Sequence, residues 1–99
     1  MELRDGNGYN TGNVFAVNSN GYLGPVCDDD WSDVAATVVC KQLGFSTGVA
    51  YRGGTYGIVP NDFAMDEVLC TGEEATIQEC SYICNDDCNF NEGAGVVCE

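Results

Sequence analysis

The run Asn20-Gly-Tyr-Leu-Gly-Pro-Val-Cys27-Asp-Asp-Asp-Trp31-Ser-Asp-Val-Ala-Ala-Thr-Val-Val-Cys40-Lys-Gln-Leu-Gly44 holds most of what decides the fold. Asn20-Gly21 is a strong hairpin signal, because both residues tolerate the positive φ that a tight turn needs. Tyr22 to Cys27 then reads as the returning strand, and Pro25 inside it argues for a sheet edge or a bulge. A helix follows. Ser32 is a candidate N-cap, Asp33 suits the positive first turn, Lys41 the negative last turn, and Gly44 the C′ position. Val34, Val38, Cys40 and Leu43 make an apolar stripe at helical spacing.

Outward from this run the signals thin. Asn13 to Val17 reads as the strand that the Asn20-Gly21 turn reverses, and Leu3 sits where an earlier strand could begin. The stretch from Gly48 to Asn61, rich in Gly and Tyr, reads as a surface loop. Glu73 to Glu79 is a weaker helix candidate with Ile77 and Cys80 facing inward. Gly95 to Cys98 reads as a buried strand. We expect an α+β domain with short strands, one main helix at about 32–43 and a second short helix at about 73–79.

At 99 residues the chain has room for one domain, and its 44% hydrophobic content is that of a globular protein. Thirteen glycines point to many tight turns. Three basic residues stand against sixteen acidic ones, for a net charge of −13. That leaves no basic footprint for nucleic acid or an anionic membrane. The absence of histidine excludes Ser-His and Cys-His catalytic pairs and histidine-ligated zinc. The longest near-apolar run, Val34 to Cys40, is far short of a bilayer span, so direct membrane insertion is not expected. We expect residues 1–99 to be a single module excised from a larger secreted or cell-surface protein, with Met1 an expression start.

Seven cysteines, at 27, 40, 70, 80, 84, 88 and 98, are many for so short a chain. Small domains of this kind are stapled by disulfides because their cores are marginal, each bridge contributing roughly 2–4 kcal/mol. No CxxC pair favours a thiolate metal site. Cys80, Cys84 and Cys88 are spaced by four, but Asn85-Asp86-Asp87 between them is poor helix material. The spacing does not select a pairing, and the odd number leaves one thiol over.

Three segments of the chain, Asn20 to Trp31, Val38-Val-Cys-Lys-Gln-Leu-Gly44 and Asp66-Glu-Val-Leu-Cys-Thr-Gly72, together with the closing Glu92-Gly-Ala-Gly-Val-Val-Cys98, resemble the scavenger receptor cysteine-rich (SRCR) domain from about Leu3 onward. The resemblance implies a curved β-sheet cradling one main helix and the bridges Cys27–Cys88, Cys40–Cys98 and Cys70–Cys80. It implies the six-cysteine group A type, since no Cys precedes residue 27 and Phe45, not Cys, follows Gly44. Cys84 has no place in that pattern.

Asp28-Asp29-Asp30 is the densest acidic run. Adjacent carboxylates repel, and either solvation or a hard cation with oxygen ligands relieves them. An EF-hand does not fit, because counting from Asp28 its sixth position is Asp33 rather than Gly and its twelfth is Val39 rather than Glu. The resemblance implies a divalent-cation site at Asp28, Asp29 and Glu92, for which oxygen ligands select Ca²⁺ or Mg²⁺. A second family site would draw on Asp66 and Asp87, although Ala35 stands where the family has a further acid. The first hairpin, Asn13 to Asn20, lacks the basic cluster of polyanion-binding members, and Leu23 replaces the usual Trp. Trp31 is assigned to the core. Tyr51 and Tyr56 are the candidate ligand contacts, since Tyr offers area and a hydroxyl. The function expected is non-catalytic extracellular recognition of a protein or microbial polyanionic ligand through a cation-dependent acidic surface. The rival reading is an interaction module that dimerises through a Cys84 disulfide.

Overall fold

The computed structural model describes residues 1–84 and 88–99. Its strands are β1 (Glu2–Asp5), β2 (Thr11–Val17), β3 (Leu23–Pro25), β4 (Gly48–Tyr51), β5 (Asp66–Leu69), β6 (Ser81–Ile83) and β7 (Gly95–Cys98). The helix α1 spans Asp33–Gln42, and Ile77–Glu79 form one 3₁₀ turn. The main sheet is antiparallel in the order β1-β2-β7-β4, with β3 paired to β2, while β5 and β6 form a separate ribbon.

The β2–β3 hairpin pairs Val17 with Leu23, so its connection is wider than a two-residue Asn20-Gly21 turn. Asn18 is the cause. Its buried Oδ1 accepts the amides of Asn20 (2.9 Å) and Tyr22 (3.1 Å), and its Nδ2 donates to the Ala64 carbonyl at 3.0 Å. Gly21 still supplies the positive φ, at 82°. Pro25 ends β3, whose ladder partner is β2; its carbonyl turns to the other side and accepts the Ala64 amide at 2.8 Å, so its missing N–H removes no bond from the β2 ladder.

Helix α1 is capped as its ends foretell. Ser32 Oγ accepts the Ala35 amide at 3.3 Å, and Gly44 takes φ 98° while the Phe45 amide returns to the Cys40 carbonyl at 2.8 Å. The buried face is Ala35, Ala36, Val38, Val39 and Cys40, so the stripe is rotated from the one expected and Val34 is exposed. The small Ala36 lets β4 approach. A methyl added to Gly48 would collide with Cys40 Sγ and come within 2.8 Å of the Ala36 carbonyl oxygen.

The expected 48–61 loop therefore begins as a strand, β4, which pairs from Gly48↔Cys98 to Tyr51↔Gly95. The expected helix at about 73–79 is only the 3₁₀ turn: the Ile77 amide, which a helix begun at Glu73 would give to the Glu73 carbonyl, is taken by a side chain of α1, and side chains also hold the amides around it. Glu74 accepts those of Thr71 (2.8 Å) and Gly72 (3.0 Å), Glu79 that of Ala75 (2.9 Å), and Gln42 that of Ile77 (2.9 Å). The amide bonds to Glu74, that of Thr71 first, hold its half-buried carboxyl below its ordinary pKa.

One face of the main sheet packs on α1, burying Val14, Trp31, Val39, Met65, Ile77 and Val96. Trp31 Nε1 donates to the Gly95 carbonyl at 2.9 Å, satisfying both groups in the core. The other face carries a smaller cluster of Phe15, Val59, Phe63, Cys27 and Cys88, with the Arg4 guanidinium 4.0 Å from the Phe15 ring centroid. Disulfides join Cys27 to Cys88, Cys40 to Cys98 and Cys70 to Cys80.

Gly48→Ala should destabilise the oxidised domain by about 1–3 kcal/mol in denaturant unfolding, since the neighbour it meets is helix backbone. Glu74→Gln should lower stability at neutral pH. A carboxyl held below its unfolded pKa of about 4.3 stabilises above that value and ceases to as pH falls through its folded pKa. The difference in melting temperature between the two proteins should accordingly shrink towards pH 3.

Candidate functional site

The strand leaving β3 is stitched into its neighbours on both sides. The Ala94 amide donates to the Val26 carbonyl (2.8 Å), the Asp28 amide to the Glu92 carbonyl (2.9 Å), and the Cys27 amide to the Met65 carbonyl (2.9 Å). The Cys27–Cys88 bridge locks this crossing. Its consequence is an acidic cluster in which carboxylate oxygens of Asp28, Asp29 and Glu92 lie within 4.8 Å of one another. Two of the three are held by backbone: Asp28 Oδ2 accepts the Gly53 amide at 2.7 Å, and Glu92 Oε1 the Asn89 amide at 2.9 Å. Asp30 turns the chain away with φ 63°.

Asp29 also reaches the other acidic group. One of its carboxylate oxygens lies within 4.8 Å of one from Asp66, which is 1% exposed at the start of β5 and accepts the Glu67 amide at 2.7 Å. Glu67 adopts φ 53° there. Ala35 is buried in α1 and offers no ligand. Asp87 lies outside the described residues. The cysteines beside both groups are disulfide-bonded and supply no thiolate.

Together Asp28, Asp29, Asp30, Glu67 and Arg52 line an open depression of about 440 Å³. Four carboxylates face one guanidinium, so the local field is negative and selects a cation. Arg52 is oriented by its Nε, which donates to the Trp31 carbonyl at 2.9 Å. Neither Arg52 nor Glu67 stands out in the sequence: each reaches the depression by long-range folding, and the one local hint is that Arg52 is one of three basic residues.

Tyr51 and Tyr56 are brought together edge to face, with ring centroids 6.1 Å apart. Tyr56 lies against Gly95, where an added methyl would come within 2.9 Å of its ring. Burial, and then the neighbouring Tyr51, push its phenol above the ordinary value of 10.0. Cys84 is the free cysteine, half-buried, with Sγ 3.8 Å from Ser19 Oγ. Among the described residues no helix is long and apolar enough to cross a membrane.

The family described as "Scavenger receptor cysteine-rich domain" matches residues 4–99. Lysyl oxidase homolog 2B of Danio rerio is 42% identical over 102 residues, which cover 99% of this chain and 13% of that protein. Lysyl oxidase homolog 2 of Homo sapiens is 40% identical over 100 residues, again 99% of this chain and 13% of that protein. Among solved structures, the third SRCR domain of murine neurotrypsin superposes with TM-score 0.86 at 37% identity, covering 98% of this chain and 92% of that one. The dimeric form of the SRCR domain of mouse MARCO does so with TM-score 0.81 at 37% identity, covering 98% and 94%.

Asp28→Ala should release the loop that follows β4. Amide exchange at Gly53 is expected to speed by about tenfold, while Trp31 and the core strands keep their protection.

Proposed function

We propose, for a chain that belongs to the scavenger receptor cysteine-rich domain family, extracellular ligand recognition through a divalent cation held by Asp28, Asp29 and Glu92. Family membership supports the coarser statement, a non-catalytic binding module of extracellular and surface proteins. The match covers 13% of the lysyl oxidase homologs, and the activity in their name is not carried over.

The observation that carries the cation is the distance among the three carboxylates. Oxygens that ligate one Ca²⁺ at about 2.4 Å stand at most about 5 Å apart, and those of Asp28, Asp29 and Glu92 fall within 4.8 Å. The donor set is hard oxygen alone, which suits Ca²⁺ or Mg²⁺ over softer metals. The backbone bonds to Asp28 and Glu92 fix two of the carboxylates beforehand. A bound cation would cancel part of this negative charge and offer open coordination positions, with Arg52 beside it as a second positive group. An anionic group on a protein or microbial ligand then fits the depression.

A second reading rests on Cys84, the unpaired thiol, which could link two copies covalently. The dimeric MARCO domain is a relative for which assembly is stated. Non-reducing electrophoresis separates this reading from the first, because a dimer that collapses with reductant and vanishes in Cys84→Ser belongs to it.

Calcium titration by calorimetry at about 0.15 M salt tests the cation, with nonspecific attraction to the acidic surface largely screened. Saturable binding near unit stoichiometry is expected, with a dissociation constant of roughly 10⁻⁴–10⁻³ M. At ten times that concentration the domain should gain about 1.4 kcal/mol in stability. Asp28→Asn with Glu92→Gln should abolish both effects. Heat that is unchanged in the double variant would remove the cation from this site.

A further inference from the structure

The outer face of the main sheet is covered over only part of its area. Residues opposite one another across antiparallel strands share a face, so Val49, Val97 and Thr11 form one row and Tyr51, Gly95 and Asn13 the next. Phe15 lies further along β2 on that face, beneath the small Val59–Phe63 cluster and Arg4. Among the described residues no such cover lies over the end formed by β4. Val49 is 43% exposed and Tyr51 38%, with Val97 half-buried beside them and Tyr56 packed over Gly95.

Addition of a strand at the β4 edge is blocked. Thr37 Oγ1 bonds the Gly48 carbonyl at 3.2 Å and its amide at 3.4 Å, and Asp33 Oδ1 accepts the Ala50 amide at 2.8 Å. A partner therefore meets the face and not the edge. Val49 and Tyr51, two residues apart on one strand, have the repeat of alternate side chains in an extended segment.

Charge says what that segment is. Asp33 stands at one border of the patch through its bond to Ala50, Asp28 at another through its bond to Gly53, and exposed Glu99 directly follows β7. Arg52, the basic residue nearest, is turned towards the Trp31 carbonyl. A second copy would bring two acidic rims and two charges of −13 together, and an anionic partner would meet the same repulsion. Tyrosine rings instead offer negative faces to guanidinium or ammonium groups.

We propose that the Val49–Tyr51–Tyr56–Val97 face binds a basic, extended polypeptide segment, with Arg or Lys side chains over the tyrosine rings and their charges met by the bordering carboxylates. The site touches the cation cluster at its border, through Asp28, but it is built on the tyrosine face and needs no divalent metal.

The test is amide chemical-shift mapping of the isotope-labelled, oxidised domain in EDTA at about 0.15 M salt. The probe is an eight-residue peptide alternating Arg and Leu, compared with the same peptide carrying Gln in place of Arg. Saturable shifts confined to residues 48–57 and 95–98 are expected, with little response to the Gln peptide. Val49→Ser with Tyr51→Ser, both at exposed positions, should weaken binding about tenfold while the melting temperature is retained. Tyr56→Ala should weaken it too, checked against an unchanged spectrum for the core strands. Shifts spread over the whole acidic surface and indifferent to these substitutions would overturn the proposal in favour of bulk charge attraction. Equal binding of the Gln peptide would overturn the basic partner. Concentration-dependent shifts of the same residues without peptide would assign the face to a second copy. EDTA keeps each outcome independent of the calcium result.

Discussion

The crossing of residues 26–28 with residues 92–94 is the constraint on which the other parts depend. Three backbone hydrogen bonds of 2.8–2.9 Å and the Cys27–Cys88 bridge bind this crossing to the rest of the sheet and to Met65. It sets the depth at which the chain emerges from the core, and hence the point where consecutive carboxylates become solvent-facing. Asp28 and Glu92 are 64 positions apart in sequence, yet their side chains meet because their backbones are already hydrogen-bonded. The acidity of the site is local in the sequence, but its convergence is a property of the sheet.

The domain needs such covalent and polar ties because its apolar interior is divided. One cluster lies between α1 and the sheet, and a smaller one lies on the reverse face. Neither is large, and a chain of this size buries a modest share of its surface. Bridges closing separations of 61 and 58 residues each remove roughly 4 kcal/mol of unfolded-chain freedom on a chain-entropy account. Cys40–Cys98 also fixes the distance between helix and sheet, which is why Gly48 must lack a side chain beneath them.

Local signals made α1 legible: Ser32 and Gly44 mark its ends because capping is decided by neighbouring residues. Asn13–Val17 and Gly95–Cys98 were legible as strands for a similar reason, through β-branched composition and flanking turns. β4 was not, because Gly48 to Tyr51 become a strand only once β7 lies beside them. The 73–79 segment misleads in the opposite way, since Glu74 and Glu79 favour a helix by propensity, yet Glu74 turns back on the Thr71 and Gly72 amides and Gln42, from α1, takes the Ile77 amide. Thiol spacing left the pairing open, and the family resemblance supplied it. The acidic run announced Asp28 and Asp29, whereas Arg52 and Glu67 arrive in the same depression from β4 and β5 with no local pattern to mark them.

The last strand has a consequence for how the protein is made. β2 and β4 pair with β7, and Cys27 and Cys40 find their partners at 88 and 98. During synthesis from the N-terminus, both thiols leave the ribosome long before those partners exist. Cys84 appears before either of them. A premature link from Cys27 or Cys40 to Cys84 is thus open to the nascent chain, and thiol–disulfide exchange after the proper partner, Cys88 or Cys98, has emerged is what clears it. The supernumerary cysteine makes the yield of this domain depend on the isomerase capacity of the compartment where it oxidises.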